Sequence, residues 1–145
     1  MYIQTKYHSE VEIQENEILT FEKGIPGFPE EKKFTLLPLP DMTSVSIMQS
    51  VETAGLAFVI ADPYSFFEKY NIMLDENTVE QLEIKSEADV SAFVILTVQD
   101  PFEESTANLQ APIVVNINTN RAKQVILNNE NYKTKHPLLG QLAKR

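Results

Sequence analysis

Short stretches in which apolar and polar residues alternate recur along most of the chain. The first twenty residues contain two or three of them, separated at residues 15–17 by a polar segment typical of a hairpin turn. Residues 45–51 alternate in the same way. Alternation with a period of two is typical of strands that have one buried face. The pattern therefore predicts a protein built mainly from short β-strands.

Other segments are predicted as strands from their apolar content. Residues 56–61 are apolar throughout, which predicts a central strand covered on both faces. Residues 92–98 form the strongest strand pattern in the chain. Residues 34–37 predict a strand that ends at Pro38 and Pro40, because proline cannot donate a hydrogen bond to a neighbouring strand.

A hairpin is predicted near the end of the chain. Residues 113–117 form a strand whose first, third and fifth residues, the last of them Ile117, share one face. Residues 124–127 pair with this strand across a turn at residues 118–120, which are rich in asparagine.

Two short helices are predicted between the strands. Pro63 suits the first turn of a short helix that ends near Phe67. Asp75 has the position of an N-cap for a second helix, which reaches Leu82. The inner face of this second helix is predicted to contain Leu74, Thr78, Val79 and Leu82.

These elements predict a mainly β (α+β) fold, a small irregular barrel-like antiparallel sheet with one or two short inserted helices. A length of 145 residues fits one domain. We assign residues 1–128 to a single β-barrel-like domain. Residues 129–145 are assigned to a basic C-terminal tail, which is either a short helix or loosely ordered.

Charge is distributed unevenly along the chain. The net charge is −9, yet six of the twelve Lys and Arg residues lie in residues 121–145, where Glu130 is the one acidic residue. An acidic body with a basic tail suits docking to basic proteins, and it also suits ordinary solubility. Nucleic-acid affinity depends on cationic contacts and stacking, and the tail has one aromatic residue, Tyr132. We therefore predict no direct nucleic-acid partner.

No common enzyme motif occurs, and the residues for metal chemistry are scarce. There is no cysteine, and the two histidines, His8 and His136, are distant in sequence. Asp100, Glu103 and Glu104 allow an acid–base pair, although a solvated loop is the ordinary interpretation. We predict no catalysis, no metal and no cofactor.

The N-terminus lacks the apolar core of a signal peptide, and no apolar run approaches the ~20 residues of a membrane span. These two features predict a cytoplasmic protein without a membrane partner.

Several motifs resemble a known family. Residues 21–29 are rich in glycine and proline, which specifies a fixed loop, and residues 24–28, Gly-Ile-Pro-Gly-Phe, resemble the early signature of the FliW family. The run from 56 to 63 is similar to that family's central strand, which ends in Asp-Pro. The run from 108 to 116 is similar to its late signature, and 136–138 fit its end. In this order the motifs cover nearly the whole chain.

The resemblance implies a partner switch. Proteins of the FliW family bind flagellin and also bind CsrA, a small translational regulator that represses flagellin messenger RNA. Binding to CsrA relieves that repression, and accumulating flagellin displaces CsrA. Such a switch requires that one partner disfavours the other, either by sharing surface or by coupling between separate sites. The expected partners are therefore flagellin and CsrA.

The family signatures also supply candidate partner-binding residues. They are Gly24, Ile25, Pro26, Gly27, Phe28, Asp62, Pro63, Phe67, Asn108, Leu109, Pro112 and Asn116. Each has a structural interpretation as well. The glycines allow a turn with positive φ, Phe28 plugs the barrel end, Asp62 caps a turn, and Asn108 and Asn116 satisfy backbone groups at strand ends.

Two other classes of function remain open at this stage. One is a small-molecule-binding or enzymatic β-barrel with its site at the mouth, near Asp62 and Asp100. The other is a nucleic-acid module that acts through the basic tail.

Overall fold

The computed structural model describes residues 1–40 and 42–138. Eleven strands are found in this part of the chain. They are β1 Tyr2–Gln4, β2 Glu10–Glu12, β3 Ile18–Phe21, β4 Lys33–Leu39, β5 Met42–Ser50, β6 Ala57–Ala61, β7 Val90–Thr97, β8 Thr106–Ala107, β9 Ile113–Asn116, β10 Arg121–Gln124 and β11 His136–Pro137.

Seven of these strands close into a barrel. Neighbouring strands pair in the order β7-β6-β5-β4-β3-β10-β9, and β9 pairs back onto the first half of β7. All of these pairs are antiparallel except β3–β10. The short strands β8 and β11 extend the sheet from the second half of β7, while β1 and β2 form a separate hairpin. The predicted mainly β, barrel-like fold is confirmed.

The interior of the barrel is filled with apolar side chains from alternate strand positions. Phe34 is fully buried at its centre and stands edge-on to Phe21, with 5.4 Å between the ring centroids. The same cluster takes a residue or more from each of β3, β4, β5, β6, β9 and β10. Because alternate residues of a strand point to opposite faces, this set is one face of each strand. We call it the inner core.

A second cluster covers the outside of the same strands. Val94 and Val114 point away from the barrel interior and are fully buried, because the segment between β6 and β7 and the segment after β10 pack over them. Phe67, Tyr70 and Leu138 supply large side chains to this outer core. Strands β7 and β9 are therefore covered on both faces. The sequence predicts this cover for β6, where Ile60 and Ala61 are buried and residues 57–59 are half-buried.

Helix α1, Glu76–Gln81, forms where the sequence predicts it. The carboxylate of Asp75 accepts a hydrogen bond from the backbone N–H of Thr78 at 3.0 Å, which confirms the predicted N-cap. Thr78 and Leu82 are buried, and Leu74 and Val79 are half-buried. The helix predicted at Pro63 is a single 3₁₀ turn, Pro63–Ser65. None of the helices among the described residues has the length and apolarity to cross a membrane.

Several strand boundaries differ from the sequence-based prediction. β4 continues through Pro38 to Leu39, because β3 pairs with β4 only as far as Thr35 and leaves Pro38 at an edge that needs no N–H donor. β10 is Arg121–Gln124, so the predicted strand over residues 124–127 is wrong except at Gln124. Ile117 lies beyond the end of β9 and is exposed, so it does not share the buried face of that strand. The predicted turn at residues 15–17 is a 3₁₀ helix.

The segment that follows residue 128 packs on the outer core. β11 pairs antiparallel with β8, and Leu138 is fully buried. Tyr132 contacts the ring of Tyr70 with a centroid separation of 4.8 Å. Residues 129–138 of the predicted tail thus belong to the folded body, and the possible helix at its end lies outside the described residues.

Candidate partner-binding surface

The loop from Gly24 to Phe28 is held by its own backbone. Ile25 and Phe28 form an isolated bridge, in which the N–H of Phe28 donates to the carbonyl oxygen of Ile25 at 2.7 Å. Gly24 has φ = 71° and Gly27 has φ = 90°, and both values lie in the left-handed region that favours glycine. The two glycines therefore account for the tight shape of the loop.

One side of this loop is interior and the other is exposed. Ile25 is buried in the inner core. Phe28 is 42% exposed and stands edge-on to Phe58, with the ring centroids 5.9 Å apart. Pro26 and Gly27 are exposed at the tip. The loop thus anchors to the inner core through Ile25 and presents Pro26, Gly27 and Phe28 to solvent.

Asp62, Pro63 and Phe67 organise the turn after β6. The carboxylate of Asp62 accepts hydrogen bonds from the Tyr64 N–H at 3.0 Å and from the Ser65 hydroxyl at 3.1 Å. Asp62 is exposed, whereas Pro63 and Phe67 are buried. The predicted capping role of Asp62 is therefore confirmed, and its carboxylate already has two partners inside the chain.

The late signature mainly satisfies backbone groups. The side-chain oxygen of Asn108 accepts from the Ala111 N–H at 3.0 Å. The carbonyl oxygen of Leu109 accepts from the Tyr70 hydroxyl at 2.6 Å, and that of Pro112 accepts from the Val125 N–H. Leu109 and Pro112 are buried and Asn108 is half-buried.

Asn116 ends the late signature and is almost completely buried. Its Nδ2 donates to the carbonyl oxygens of Leu82 at 2.7 Å and Glu83 at 3.2 Å, and its Oδ1 accepts from the Asn118 N–H at 2.9 Å. These two carbonyls follow α1 directly. The predicted role of Asn116 in satisfying backbone groups is confirmed, and the groups belong to the end of the helix.

The twelve candidates do not form one patch. The loop of residues 24–28 packs on the inner core, whereas Phe67 and Leu109 pack on the outer core. Half of the candidates are buried, and the exposed ones are Pro26, Gly27, Phe28 and Asp62. A partner that binds the rigid protein can contact the exposed ones and the half-buried Gly24 and Asn108 directly.

Comparison with known proteins assigns the family. A sequence profile described as FliW protein matches residues 2–138. The chain belongs to the FliW family. It is 59% identical over 138 residues to the flagellar assembly factor FliW of Geobacillus thermodenitrificans (strain NG80-2), covering 95% of each chain. It is 49% identical over 141 residues to that of Bacillus subtilis (strain 168), covering 97% of this chain and 99% of the relative. A crystal structure of the flagellar assembly factor FliW superimposes with a TM-score of 0.91 at 57% identity, covering 95% of this chain and 96% of the other.

The FliW signatures identify the fold and overlook a cluster of tyrosines. Tyr70 lies between Tyr64 and Tyr132, at centroid distances of 6.0 and 4.8 Å. Burial, with a contribution from Tyr132, raises the pKa of Tyr70 well above its usual range, so its hydroxyl stays protonated and donates to Leu109. Burial also raises the pKa of Tyr64, which is nevertheless exposed at the surface. No sequence spacing connects these three residues, because the fold brings them together.

Two exposed apolar side chains of this FliW protein were also missed. Met73 is 74% exposed and Ile126 is 60% exposed, and both line the same surface groove. The sequence could have indicated the exposure of Ile126. In an extended chain that buries Val125 and Leu127, the side chain between them points to the opposite face. The prediction pairs residues 124–127 with residues 113–117 and does not separate the two faces of the segment.

The carboxylates proposed as an acid–base pair lie on an exposed loop. Asp100, Glu103 and Glu104 are all exposed. Within residues 1–40 and 42–138, no group of three or more histidine, cysteine, aspartate or glutamate side chains is placed to hold a metal ion.

Hydrogen bonds lower the pKa of Asp75, which caps α1, and of Asp89, which caps the turn before β7. Both of these perturbed carboxylates therefore have structural partners.

Proposed function

We propose that this protein is a cytoplasmic partner switch that binds flagellin and antagonises the translational regulator CsrA, without catalysing a reaction. The observation that carries the proposal is membership of the FliW family over residues 2–138. Relatives that are 49–59% identical are flagellar assembly factors. CsrA represses flagellin messenger RNA, and flagellin competes with CsrA for this protein. The amount of free flagellin therefore controls the rate at which new flagellin is made.

The geometry supports binding of proteins over binding of a small molecule. Apolar side chains fill the barrel interior, where a ligand of a small barrel would sit. Asp62, at the proposed mouth, is engaged as a cap. Exposed apolar side chains such as Phe28, Met73 and Ile126 instead offer contacts of the kind found in the centre of protein interfaces.

The area of the protein leaves both routes of competition open. A standard interface covers ~800 Å² on each partner. This is about a tenth of the accessible surface of 8872 Å². Flagellin and CsrA can therefore share one surface or occupy two coupled surfaces.

A reconstitution with purified proteins tests the switch. The protein is mixed with CsrA and with flagellin from the same organism, and complexes are measured by size-exclusion chromatography with light scattering. We expect a defined complex with each partner, and we expect flagellin to displace CsrA as its concentration rises. A ternary complex with unchanged CsrA affinity would contradict the switch.

Genetic tests address the consequence in the cell. Deletion of this protein should lower flagellin synthesis, and removal of CsrA should restore it. Flagellin synthesis that is unaffected by the deletion would contradict the proposed function, whatever the binding results.

A further inference from the structure

A groove of about 710 Å³ runs between two chain segments on the outer side of the barrel. One wall is formed by residues 71–75, which precede α1, and the other by residues 125–131, which follow β10. Met73 projects from the first wall and Ile126 from the second. A volume of this size is within the ~300–1,000 Å³ of ligand-binding clefts.

The wall after β10 begins as an extended segment with an open edge. Val125 and Leu127 are buried and donate their N–H groups to the carbonyl oxygens of Pro112 and Gln110, at 2.9 and 2.8 Å. In an extended chain the intervening residue directs its N–H and C=O to the opposite edge. In the part of the chain that the structure describes, neither backbone group of Ile126 has a hydrogen-bond partner.

The reason for this open edge is the short pairing with β3. β3 meets β10 at Arg121 and Ala122 only, where β3 reaches Phe21. Beyond Ala122 the strand neighbour is gone, while the other edge of the chain continues to pair as far as Leu127. The chain beyond Ala122 therefore has an edge without a neighbouring strand, and it reaches the groove at Val125.

The opposite wall also has unused backbone groups. The Asn71 N–H donates to the Tyr132 hydroxyl at 2.8 Å, but the backbone groups of Ile72, Met73 and Leu74 have no partner among residues 1–40 and 42–138. Burial alternates here, because Met73 is 74% exposed between two half-buried neighbours. Alternation of this kind is typical of an extended chain.

We propose that this groove binds an extended segment of a protein partner, which adds as a β-strand against the edge at Ile126. An open strand edge offers main-chain hydrogen bonds, and the alternate side chains of the added strand provide specificity. The floor is apolar because Leu74, Val125 and Leu127 line it. The charged lining residues are Asp75 and Glu130, so the segment carries apolar residues at alternate positions and a Lys or Arg beside them.

This inference rests on the proposed function for its biological role, because a partner switch needs a surface that holds a partner. The site itself is independent of which partner uses it. Its first test therefore uses a synthetic probe, a seven-residue peptide with valine at alternate positions and lysine at both ends. We expect the dissociation constant, measured by calorimetry, to be on the order of 1 mM or tighter.

Two matched controls separate strand addition from charge pairing. The first is a peptide of the same sequence that is N-methylated at alternate backbone positions. It keeps its charge but loses these backbone N–H donors, so its dissociation constant should rise at least about tenfold. Ile126→Ser adds no charge and should weaken binding of the unmodified peptide to a similar extent. Ile117→Ser makes the same change at a residue that is 54% exposed outside the groove, and should leave binding unchanged.

Amide hydrogen exchange locates the site on the full chain. The amides of Met73 and Ile126, which have no hydrogen-bond acceptor among the described residues, should exchange fast in the free protein and slow down on addition of the peptide. Equal binding of the N-methylated peptide, or unchanged exchange of both amides, would overturn the inference. The same exchange measurement with flagellin or CsrA distinguishes the two proposals. Binding of either protein without protection of these amides overturns the groove's role and leaves the partner switch intact.

Discussion

The side chain of Asn116 holds the end of helix α1, because its Nδ2 donates to the carbonyl oxygen of Leu82 at 2.7 Å. The last turn of the helix is closed by backbone bonds, because the carbonyl oxygens of Thr78, Val79 and Glu80 accept N–H groups from the residues that follow. The next carbonyl oxygens, of Leu82 and Glu83, are satisfied by a nearly buried side chain at the end of β9, a strand of the barrel. A single asparagine therefore fixes the helix against the sheet.

We predict that Asn116→Ala lowers the free energy of unfolding by about 1–3 kcal/mol, because it leaves buried carbonyl groups without a donor. Urea denaturation measures the change. Asn128→Ala is the control, since Asn128 is exposed, and its effect should be within about 0.5 kcal/mol. Similar stability of the two variants would show that water replaces the amide of Asn116.

The contrast between the two ends of α1 shows how far sequence reasoning reaches. Asp75 was predicted as the N-cap because capping at that end is local, within three residues of the chain. At the other end, Asn116 and the residue whose carbonyl it binds, Leu82, are 34 positions apart in the sequence. A side chain that acts over this distance in sequence leaves no periodic signal. The sequence indicated a backbone-satisfying role for Asn116 without indicating the helix.

The two glycines of the 24–28 loop should differ in their tolerance of a side chain. Both have positive φ, where a residue other than glycine costs roughly 1–2 kcal/mol. A Cβ at Gly24 would in addition overlap the backbone carbonyl of Pro29, whereas a Cβ at Gly27 meets open space. We therefore expect Gly27→Ala to destabilise by about 1 kcal/mol and Gly24→Ala by clearly more.

Thermal unfolding of the two alanine variants, followed by circular dichroism, checks this order. Gly27→Val should be worse than Gly27→Ala, because β-branched residues tolerate positive φ poorly. Equal melting temperatures for Gly24→Ala and Gly27→Ala would show that the loop shifts to relieve the overlap with Pro29.

The partner-binding residues were harder to predict than the fold for a physical reason. Val114 and Val115 are adjacent and both buried, because β9 is covered by the inner core on one face and the outer core on the other. Packing on both faces restricts the residue type at such positions, so an apolar pattern predicts the strand. Exposed apolar residues such as Met73 and Ile126, which we propose as partner contacts, lie in irregular segments, and their position depends on how the whole chain packs.

Stability should fall in mildly acidic solution because of His136. Burial lowers its pKa from the usual 6.5, and its Nε2 accepts a hydrogen bond from the Lys133 N–H at 2.8 Å, which requires the neutral ring. The unfolded chain therefore takes up the proton first as the pH falls. The stabilising contribution is present above about pH 6.5 and is lost as the pH drops through the lower folded-state pKa.

Melting temperatures at pH 7.5 and pH 5 measure this effect. The decrease between the two should be smaller in His136→Gln than in the unchanged protein. Asp75 and Asp89 have pKa values below the usual 3.8, so they stay ionised between pH 7.5 and pH 5 and do not contribute to this difference. An identical pH dependence in the variant would show that protonation of His136 does not oppose folding.

Association with CsrA should be accelerated by the acidic charge of this protein, and salt should weaken that acceleration. CsrA binds RNA and so presents cationic surface, whereas this chain has a net charge of −9. Attraction between opposite charges raises the association rate, and the Debye length falls from about 10 Å at 0.1 M salt to about 3 Å at 1 M. Stopped-flow measurements over this range should show a falling association rate and a nearly constant dissociation rate, because the centre of a specific interface is apolar.

An association rate that is independent of salt would mean that the acidic charge serves solubility alone. A complex that dissociates completely at moderate salt would be a nonspecific ion pairing, and the partner switch would then lose its physical basis.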